Sequence, residues 1–188
     1  MVFYLRTQLT INILTRKLKN KDLNRLSVEK YRKVSKTPIV LILDNIRSMH
    51  NVGAIFRTCD AFRIKKIYLC GITATPPHRD IRKTALGAEE SVDWCYFNTT
   101  KEALDNLKDA HVCALEQAID SVPLREVVIP ENKTVALIVG NEVDGVNDDL
   151  FEYCDQIIEI PQFGVKHSFN VSVSTGITLW EIFNKIND

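Results

Sequence analysis

The chain has 188 residues, an apolar fraction of 45%, and 24 basic against 24 acidic residues. That length suits one folded domain with a real core, and no run approaches the roughly eighteen apolar residues of a membrane-spanning helix. The opening Met1-Val2-Phe3-Tyr4-Leu5 is too short for a signal-peptide core, so the expected compartment is the cytoplasm.

The charge is unevenly distributed. Ten basic residues (Arg6, Arg16, Lys17, Lys19, Lys21, Arg25, Lys30, Arg32, Lys33, Lys36) lie ahead of Pro38 against Asp22 and Glu29, a local net charge of +8 that leaves −8 for the remainder. A basic arm on an acidic body suits a polyanionic partner, and a solvated tail accounts for the same charges. Arg16, Lys17, Lys19, Lys21 and Arg25 are the candidate phosphate contacts. Met1 to Thr15 reads as a strand-like lead. Leu18, Leu23, Leu26 and Val28 have the spacing of an apolar helix face. Residues 1–37 therefore read as a partly helical basic extension, and 38–188 as the main domain.

From Pro38 onward the predicted elements alternate. Ile39–Leu43 is a buried-type strand, Val52–Phe62 an amphipathic helix and Lys66–Leu69 a short strand. Thr73–Pro77 is a turn-rich loop, followed by a helix over His78–Ala85. Val92–Phe97 is a strand, Lys101–Lys108 a helix and Val112–Leu115 a strand. Thr134–Val139 is a strand, Asp148–Cys154 a short helix and Gln156–Ile160 a strand. Asn170–Ile186 is the last and longest helix. This alternation means an α/β fold, a mostly parallel sheet with helices on both faces.

Five widely spaced cysteines (Cys59, Cys70, Cys95, Cys113, Cys154) sit among apolar neighbours with no C-x-x-C and read as buried free thiols. The four histidines are scattered, and no cluster has metal-ligand spacing. No metal is expected.

Three strand-loop junctions carry the chemistry. The first is Asn45-Ile46-Arg47-Ser48-Met49-His50-Asn51-Val52-Gly53-Ala54-Ile55-Phe56-Arg57, after Ile39–Leu43. The second is Ile138-Val139-Gly140-Asn141-Glu142-Val143-Asp144-Gly145-Val146. The third runs from Ile160-Pro161-Gln162-Phe163-Gly164 to Ser168-Phe169-Asn170-Val171. Each also reads as an ordinary structural junction of an α/β fold. Gly140-x-x-x-x-Gly145 has P-loop glycine spacing, but Val146-Asn147 replaces the required Lys and Ser or Thr. No G-x-G-x-x-G follows a strand, so a dinucleotide site is unsupported. What remains suits a neutral or cationic small ligand held largely by backbone, with glycines allowing close approach.

In this order the three segments resemble the signature motifs of the SpoU (TrmH) family of S-adenosylmethionine-dependent RNA ribose 2′-O-methyltransferases, within the SPOUT superfamily. The matching residues are Asn51, Gly53 and Arg57; Gly140, Asn141, Glu142 and Gly145; and Pro161, Gly164, Ser168, Asn170 and Val171. Phe169, Ser172 and Ser174 depart mildly from the pattern. The resemblance implies a C-terminal trefoil knot, S-adenosylmethionine as cofactor, RNA as substrate with tRNA favoured over rRNA, and a homodimer. A non-catalytic RNA-binding protein of the same fold is the alternative of a different class.

It also implies site residues. The cofactor would be held by Val139, Gly140, Asn141, Glu142, Gly145, Ile160, Pro161, Phe163, Ser168 and Phe169. Arg57, Asn51, Glu142, Ser168 and Asn170 would form the catalytic set, with the basic arm on RNA. Each has a plainer reading: Arg57 as a surface ion-pair residue, Asn51 as the cap of its helix, Glu142 as a loop carboxylate, Ser168 and Asn170 as helix starters. Arginine is too weak an acid to serve as a free base, so orientation of a phosphate by its planar fork is the favoured role for Arg57. The last helix carries Val173, Gly176, Ile177, Trp180 and Phe183 at helical spacing, broader than one sheet face covers. That surface is either monomer core or a symmetric interface.

Overall fold

The computed structural model describes residues 17–19 and 22–187. The expected lead over Met1 to Thr15, and the candidate contacts Arg16 and Lys21, lie outside the described residues. Helix α1 (Val28–Lys33) starts where Ser27 accepts from the Lys30 amide at 3.3 Å. Leu18, Leu23 and Leu26 precede that cap and are exposed, with Asn24 at φ 46° interrupting the run. The anticipated four-residue apolar face is therefore not a helix face. Instead Tyr31 anchors α1: its ring is buried, its hydroxyl donates to the Asp60 carbonyl at 3.3 Å, and the Lys36 ammonium lies 3.2 Å from the ring centroid.

The body follows as β1 (Thr37–Asp44), α2 (Met49–Ala61), β2 (Ile64–Cys70), α3 (Arg79–Ala85), α4 (Ala88–Ser91), β3 (Trp94–Phe97), α5 (Thr100–Asp105), β4 (His111–Leu115), β5 (Val122–Pro123), β6 (Val135–Val139), β7 (Gln156–Glu159) and α6 (Val171–Asn187). A 3-10 segment, Asp148–Tyr153, stands where a short helix was expected. The seven strands form one sheet in the order β3-β2-β1-β6-β4-β7-β5, every neighbouring pair parallel.

Period-two alternation divides the core between the faces. Ile39, Leu41 and Leu43 pack with Ile55, Phe56, Leu179 and Ile182 of α2 and α6; Val40 and Ile42 pack on the other face with Ala103, Leu104 and Leu150. Central strands covered on both sides must be apolar throughout, and all five residues of β6 are buried.

Because every strand is parallel, all carboxyl ends meet at one edge of the sheet. Leu43 of β1 pairs with Val139 of β6, and Leu115 of β4 pairs with both Val139 and Ile158 of β7. The loops leaving β1, β6, β4 and β7 therefore emerge side by side, which is where open α/β sheets bind ligands. Helix α3 packs tightly on α2: a Cβ on Gly53 would collide with the Ile81 carbonyl and the Thr84 hydroxyl.

Candidate active site

A cavity of about 560 Å³ opens at the carboxyl ends of β4, β6 and β7, within the roughly 300–1,000 Å³ range of small-molecule sites. Val139, Gly140, Asn141, Glu142, Gly145, Ile160, Ser168 and Phe169, all anticipated from sequence, line it. Pro161 and Phe163 do not. Residues 160–163 alternate sides as extended chain does, so Ile160 and Gln162 face the cavity while Phe163 is 97% exposed.

The loop after β6 folds on itself. Asn141 and Gly145 form an antiparallel bridge, and the Asn141 Oδ1 accepts from the amides of Val143 and Asp144, both at 2.9 Å. Asn141 is thus an Asx anchor of the turn. A Cβ on Gly140 would collide with the backbone of Gly145 and Val146, and one on Gly145 (φ 73°) with the Glu116 carboxylate. These glycines let the loop close on itself and on Glu116. At Gly164 an added Cβ would meet open space.

Glu116 was silent in the sequence. It follows β4 at the sheet edge, accepts from the Gln117 amide at 2.9 Å through Oε1, and accepts from the Val146 amide at 2.9 Å through Oε2. The Gln117 side chain in turn donates to the His167 carbonyl at 2.8 Å. The only available signal was position, since strand-end residues of a parallel sheet reach the ligand crevice.

The folded loop presents Glu142 to the start of α2. Its Oε1 accepts from Asn51 Nδ2 at 2.7 Å and the Ser48 amide at 3.2 Å, and its Oε2 from the Arg47 amide at 3.1 Å. Partial burial works to raise the Glu142 carboxyl, but the Asn51 hydrogen bond and the backbone amides outweigh it, leaving it below the ordinary value. Arg47 also pairs with Asp144 at 3.4 Å on the exposed rim, worth at most about 1 kcal/mol.

Asn51 does not cap α2. The helix begins earlier, at Met49, and Ser48 accepts from the Asn51 amide at 3.3 Å. Its side chain instead joins the other motifs: Asn51 Oδ1 accepts from Asn170 Nδ2 at 3.1 Å. Asn170 starts α6 as expected, its Oδ1 accepting from the Ser172 amide at 3.0 Å and the Ser172 hydroxyl at 2.6 Å. Ser168 remains in the exposed loop and lines the cavity.

Arg57 stands apart from this group. It is exposed on α2 and lines a separate groove with Arg25, Leu26 and Asp60. Of the described arm candidates, Lys17, Lys19 and Arg25 are all exposed. The cysteines carry no disulfide; burial pushes the thiols of Cys70 and Cys113 up to about 12 and that of Cys154 to about 11. No helix among the described residues is long and apolar enough to cross a membrane.

The residues fit the sulfonium cofactor that the motifs imply. The cavity offers a turn of backbone at 140–145, apolar walls at Ile160 and Phe169, and acceptors rather than phosphate-binding cations.

The 23S rRNA (guanosine-2′-O-)-methyltransferase RlmB of Haemophilus ducreyi is 29% identical over 170 residues, 90% of this chain and 69% of that protein. The tRNA (guanosine(18)-2′-O)-methyltransferase of Aquifex aeolicus is 31% identical over 151 residues, 76% of this chain and 67% of that protein. The AdoMet-bound rRNA methyltransferase of Sinorhizobium meliloti superposes with a TM-score of 0.74 at 27% identity, covering 83% of this chain and 60% of that one. This chain thus spans between 60% and 69% of these three relatives. The second and third motif loops line one cavity and Asn51 of the first is hydrogen-bonded to both, and residues 38–180 match the SpoU rRNA Methylase family: the chain belongs to that family.

Proposed function

We propose that this chain binds S-adenosylmethionine in the cavity at the carboxyl ends of β4, β6 and β7 and methylates a ribose 2′-hydroxyl of RNA. The observation that carries the reading is the link from Glu142 through Asn51 to Asn170, which joins all three motif loops at the mouth of that cavity. The named relatives support the class, two of them rRNA methyltransferases and one a tRNA methyltransferase. We favour tRNA, because the basic residues ahead of β1 attach directly to the catalytic body, which suits a compact RNA. Ribosomal RNA is the competing substrate.

The cofactor supplies an already activated methyl group. The chain must align the hydroxyl with it and help the proton leave. Ile160 and Phe169 form apolar walls, and the backbone turn from Gly140 to Gly145 gives polar contacts. Glu142, held ionised by Asn51 and two amides, fixes the start of α2 against the cofactor loop. Ser168 and Asn170 offer hydrogen bonds to the ribose.

Arg57 acts on the substrate phosphate, in this reading across a two-fold interface. Val173, Ile177 and Trp180 of α6 are 49%, 39% and 54% exposed, and Gly176 lies beside Thr58 of α2. A homodimer pairing this face buries the apolar surface and carries Arg57 toward the partner's cavity. The family's trefoil knot belongs to the same reading. It is supported by β4 lying between β6 and β7 in the sheet and by the return of α6 to pack on α2. Residues 1–37 act as the RNA-binding extension and 38–188 as the catalytic domain. Five cysteines without a disulfide suit a reducing cytoplasm.

The test is transfer of labelled methyl from S-adenosylmethionine to tRNA and 23S rRNA transcripts, with nucleoside mass spectrometry locating the ribose methyl. Absence of transfer to both overturns the activity. Transfer to rRNA alone overturns the tRNA preference.

A further inference from the structure

A second cavity, of about 690 Å³, lies between the Pro76-Pro77 segment, α3, α4 and the start of β3. We propose that it is a subsite for a single unstacked, amino-bearing nucleobase of the RNA, held on Trp94 and read by Glu89. This rests on the RNA reading above.

Glu89 is the unusual feature. Its side chain is only 9% exposed. Its Oε1 sits 3.9 Å from Arg82 Nε, beyond hydrogen-bond range, while Arg82 Nη2 turns to Glu90 at 3.3 Å. Its Oε2 is sealed from solvent and has no hydrogen-bond partner among the described residues. A carboxylate oxygen withdrawn from water without a donor carries a large desolvation penalty. Oε2 is closed to a ligand, so the oxygen left for one is Oε1, which has only the long contact to Arg82 at 3.9 Å; a ligand bringing an N–H group into the cavity that Glu89 lines would give the carboxylate the hydrogen bond it lacks.

The walls say what carries that donor. Trp94 offers a half-buried aromatic ring, and the exposed Pro77 offers a flat apolar surface beside it. This is the setting in which a planar base stacks, without regard to sequence. Arg79 at the rim is exposed and forms no ion pair among the described residues, whereas Arg82 and Lys83 are paired with Glu90 and Asp80. A free guanidinium beside a stacking platform suits the phosphate attached to that base.

The carboxylate selects among bases. Adenine, cytosine and guanine each present an exocyclic amino group. The one ring N–H at the pairing edge of uracil lies between two carbonyl oxygens that a carboxylate repels. Glu89 therefore favours the first three. A strand can reach both sites: Thr84 of α3 donates to the His50 carbonyl at 2.9 Å, next to Asn51. RNA engaged at the start of α2 has only α3 to cross.

The experiment uses the full chain with its cofactor cavity saturated by S-adenosylhomocysteine. AMP, CMP, GMP and UMP are titrated while tryptophan fluorescence is followed, with Trp94→Phe as the reference for the Trp94 signal. The three amino bases are expected to quench Trp94 with affinities about tenfold above UMP, the worth of one hydrogen bond to a charged group. Glu89→Gln should erase that preference. Arg79→Ala, at an exposed position, should weaken all four nucleotides alike and flatten their salt dependence. Equal affinity for all four bases overturns the proposal, as does quenching unchanged in Trp94→Phe. If Glu89→Gln fails to fold, the base ranking and Arg79→Ala still decide. Binding of oligo-arginine in place of nucleotides would make the cavity a peptide site and also overturn it. Loss of the subsite with methyl transfer intact separates this failure from failure of the enzymatic reading.

Discussion

The side chain of Asn170 donates to that of Asn51 at 3.1 Å across 119 residues of sequence. Its direction is set by the helix it begins. Because Asn170 Oδ1 is committed to the amide and hydroxyl of Ser172, only its Nδ2 is left for Asn51. That fixes Asn51 Oδ1 as acceptor and turns its Nδ2 to Glu142. A helix cap therefore sets the polarity of the contact between the other two motif loops. In a double-mutant cycle, Asn51→Ala and Asn170→Ala are expected to be non-additive by about 0.5–3 kcal/mol in unfolding free energy or in transition-state stabilisation. Strict additivity in both readouts sinks the relay.

Glu142 gives the relay a pH signature. Burial raises its carboxyl, but the Asn51 side chain and backbone amides bring it below the ordinary value of 4.5. A group depressed on folding adds stability that is fully present above its ordinary value and lost as pH falls through the lower, folded value. The stability gap between wild type and Glu142→Gln is therefore expected to be constant near neutrality and to shrink only below about pH 4.5. Denaturation midpoints from pH 7 to pH 3 measure it. A gap that shrinks between pH 5 and 7 is incompatible with this assignment.

The alternation of strands and helices was legible because β1 and β6 are covered on both faces and must be continuously apolar. What escaped was too short to carry a period. β5 has two residues, and α4 is a single turn behind Gly87. The arm misled for a related reason: leucines at helical spacing count for little when Ser27 starts the helix after them. The cofactor loops were found through their glycines, but the reason for Gly140 and Gly145 was not. Gly140 answers to the backbone of its own loop at Gly145 and Val146, and Gly145 to the carboxylate of Glu116 at the end of β4. Long-range carboxylates such as Glu116 leave no local mark. Arg57 was legible as a residue off the apolar stripe. No spacing could tell that one chain leaves it apart from Asn51 and Glu142.

The three glycines separate folding from binding. Gly145→Ala is expected to destabilise the protein by about 1–3 kcal/mol through positive φ alone, with the Glu116 clash added. Gly140→Val should also lose stability, because its side chain meets the loop's own backbone. Gly164→Ala adds a methyl in open space and should leave the denaturation midpoint unchanged. Calorimetry with S-adenosylhomocysteine on this last variant tests ligand approach alone. A stable Gly145→Ala protein would contradict the loop-closure account.

Arg57 and Trp180 test the two-fold reading together. Arg57→Ala is expected to abolish methyl transfer while cofactor affinity stays near wild type. Arg57→Lys should also be poor, since a point charge does not replace a planar fork. Trp180→Lys places a charge in the exposed apolar face of α6 and should give monomers by analytical ultracentrifugation, with transfer lost and the fold kept. Mixing the inactive Arg57→Ala chain with a separately inactive Ser168→Ala chain should restore up to about a quarter of wild-type activity, the statistical share of intact composite sites when two defective chains pair at random across a C2 interface. An active monomer, or no recovery in the mixed dimer, rules out a shared site.

The basic arm requires a cut placed by the structure. Removing everything through Lys36 would also delete Tyr31, whose buried ring and bond to Asp60 pin α1 to the body. It would also remove Arg32, which donates to the Glu90 carbonyl at 2.7 Å. That truncation confounds RNA binding with stability. Deleting Met1–Lys21 removes Arg6, Arg16, Lys17, Lys19 and Lys21 with no acidic residue and leaves the Ser27 cap and α1 in place. If these cations meet phosphates, RNA affinity should fall. The slope of log affinity against log salt should also become shallower by about 0.7–0.9 for each phosphate that the shortened chain no longer neutralises. Cofactor affinity and the denaturation midpoint should not move: the described residues of the deleted stretch, Lys17, Leu18 and Lys19, are exposed and lie in neither the cofactor cavity nor the core. Equal RNA affinity and equal salt slope in both proteins would leave these five cations without a role in binding.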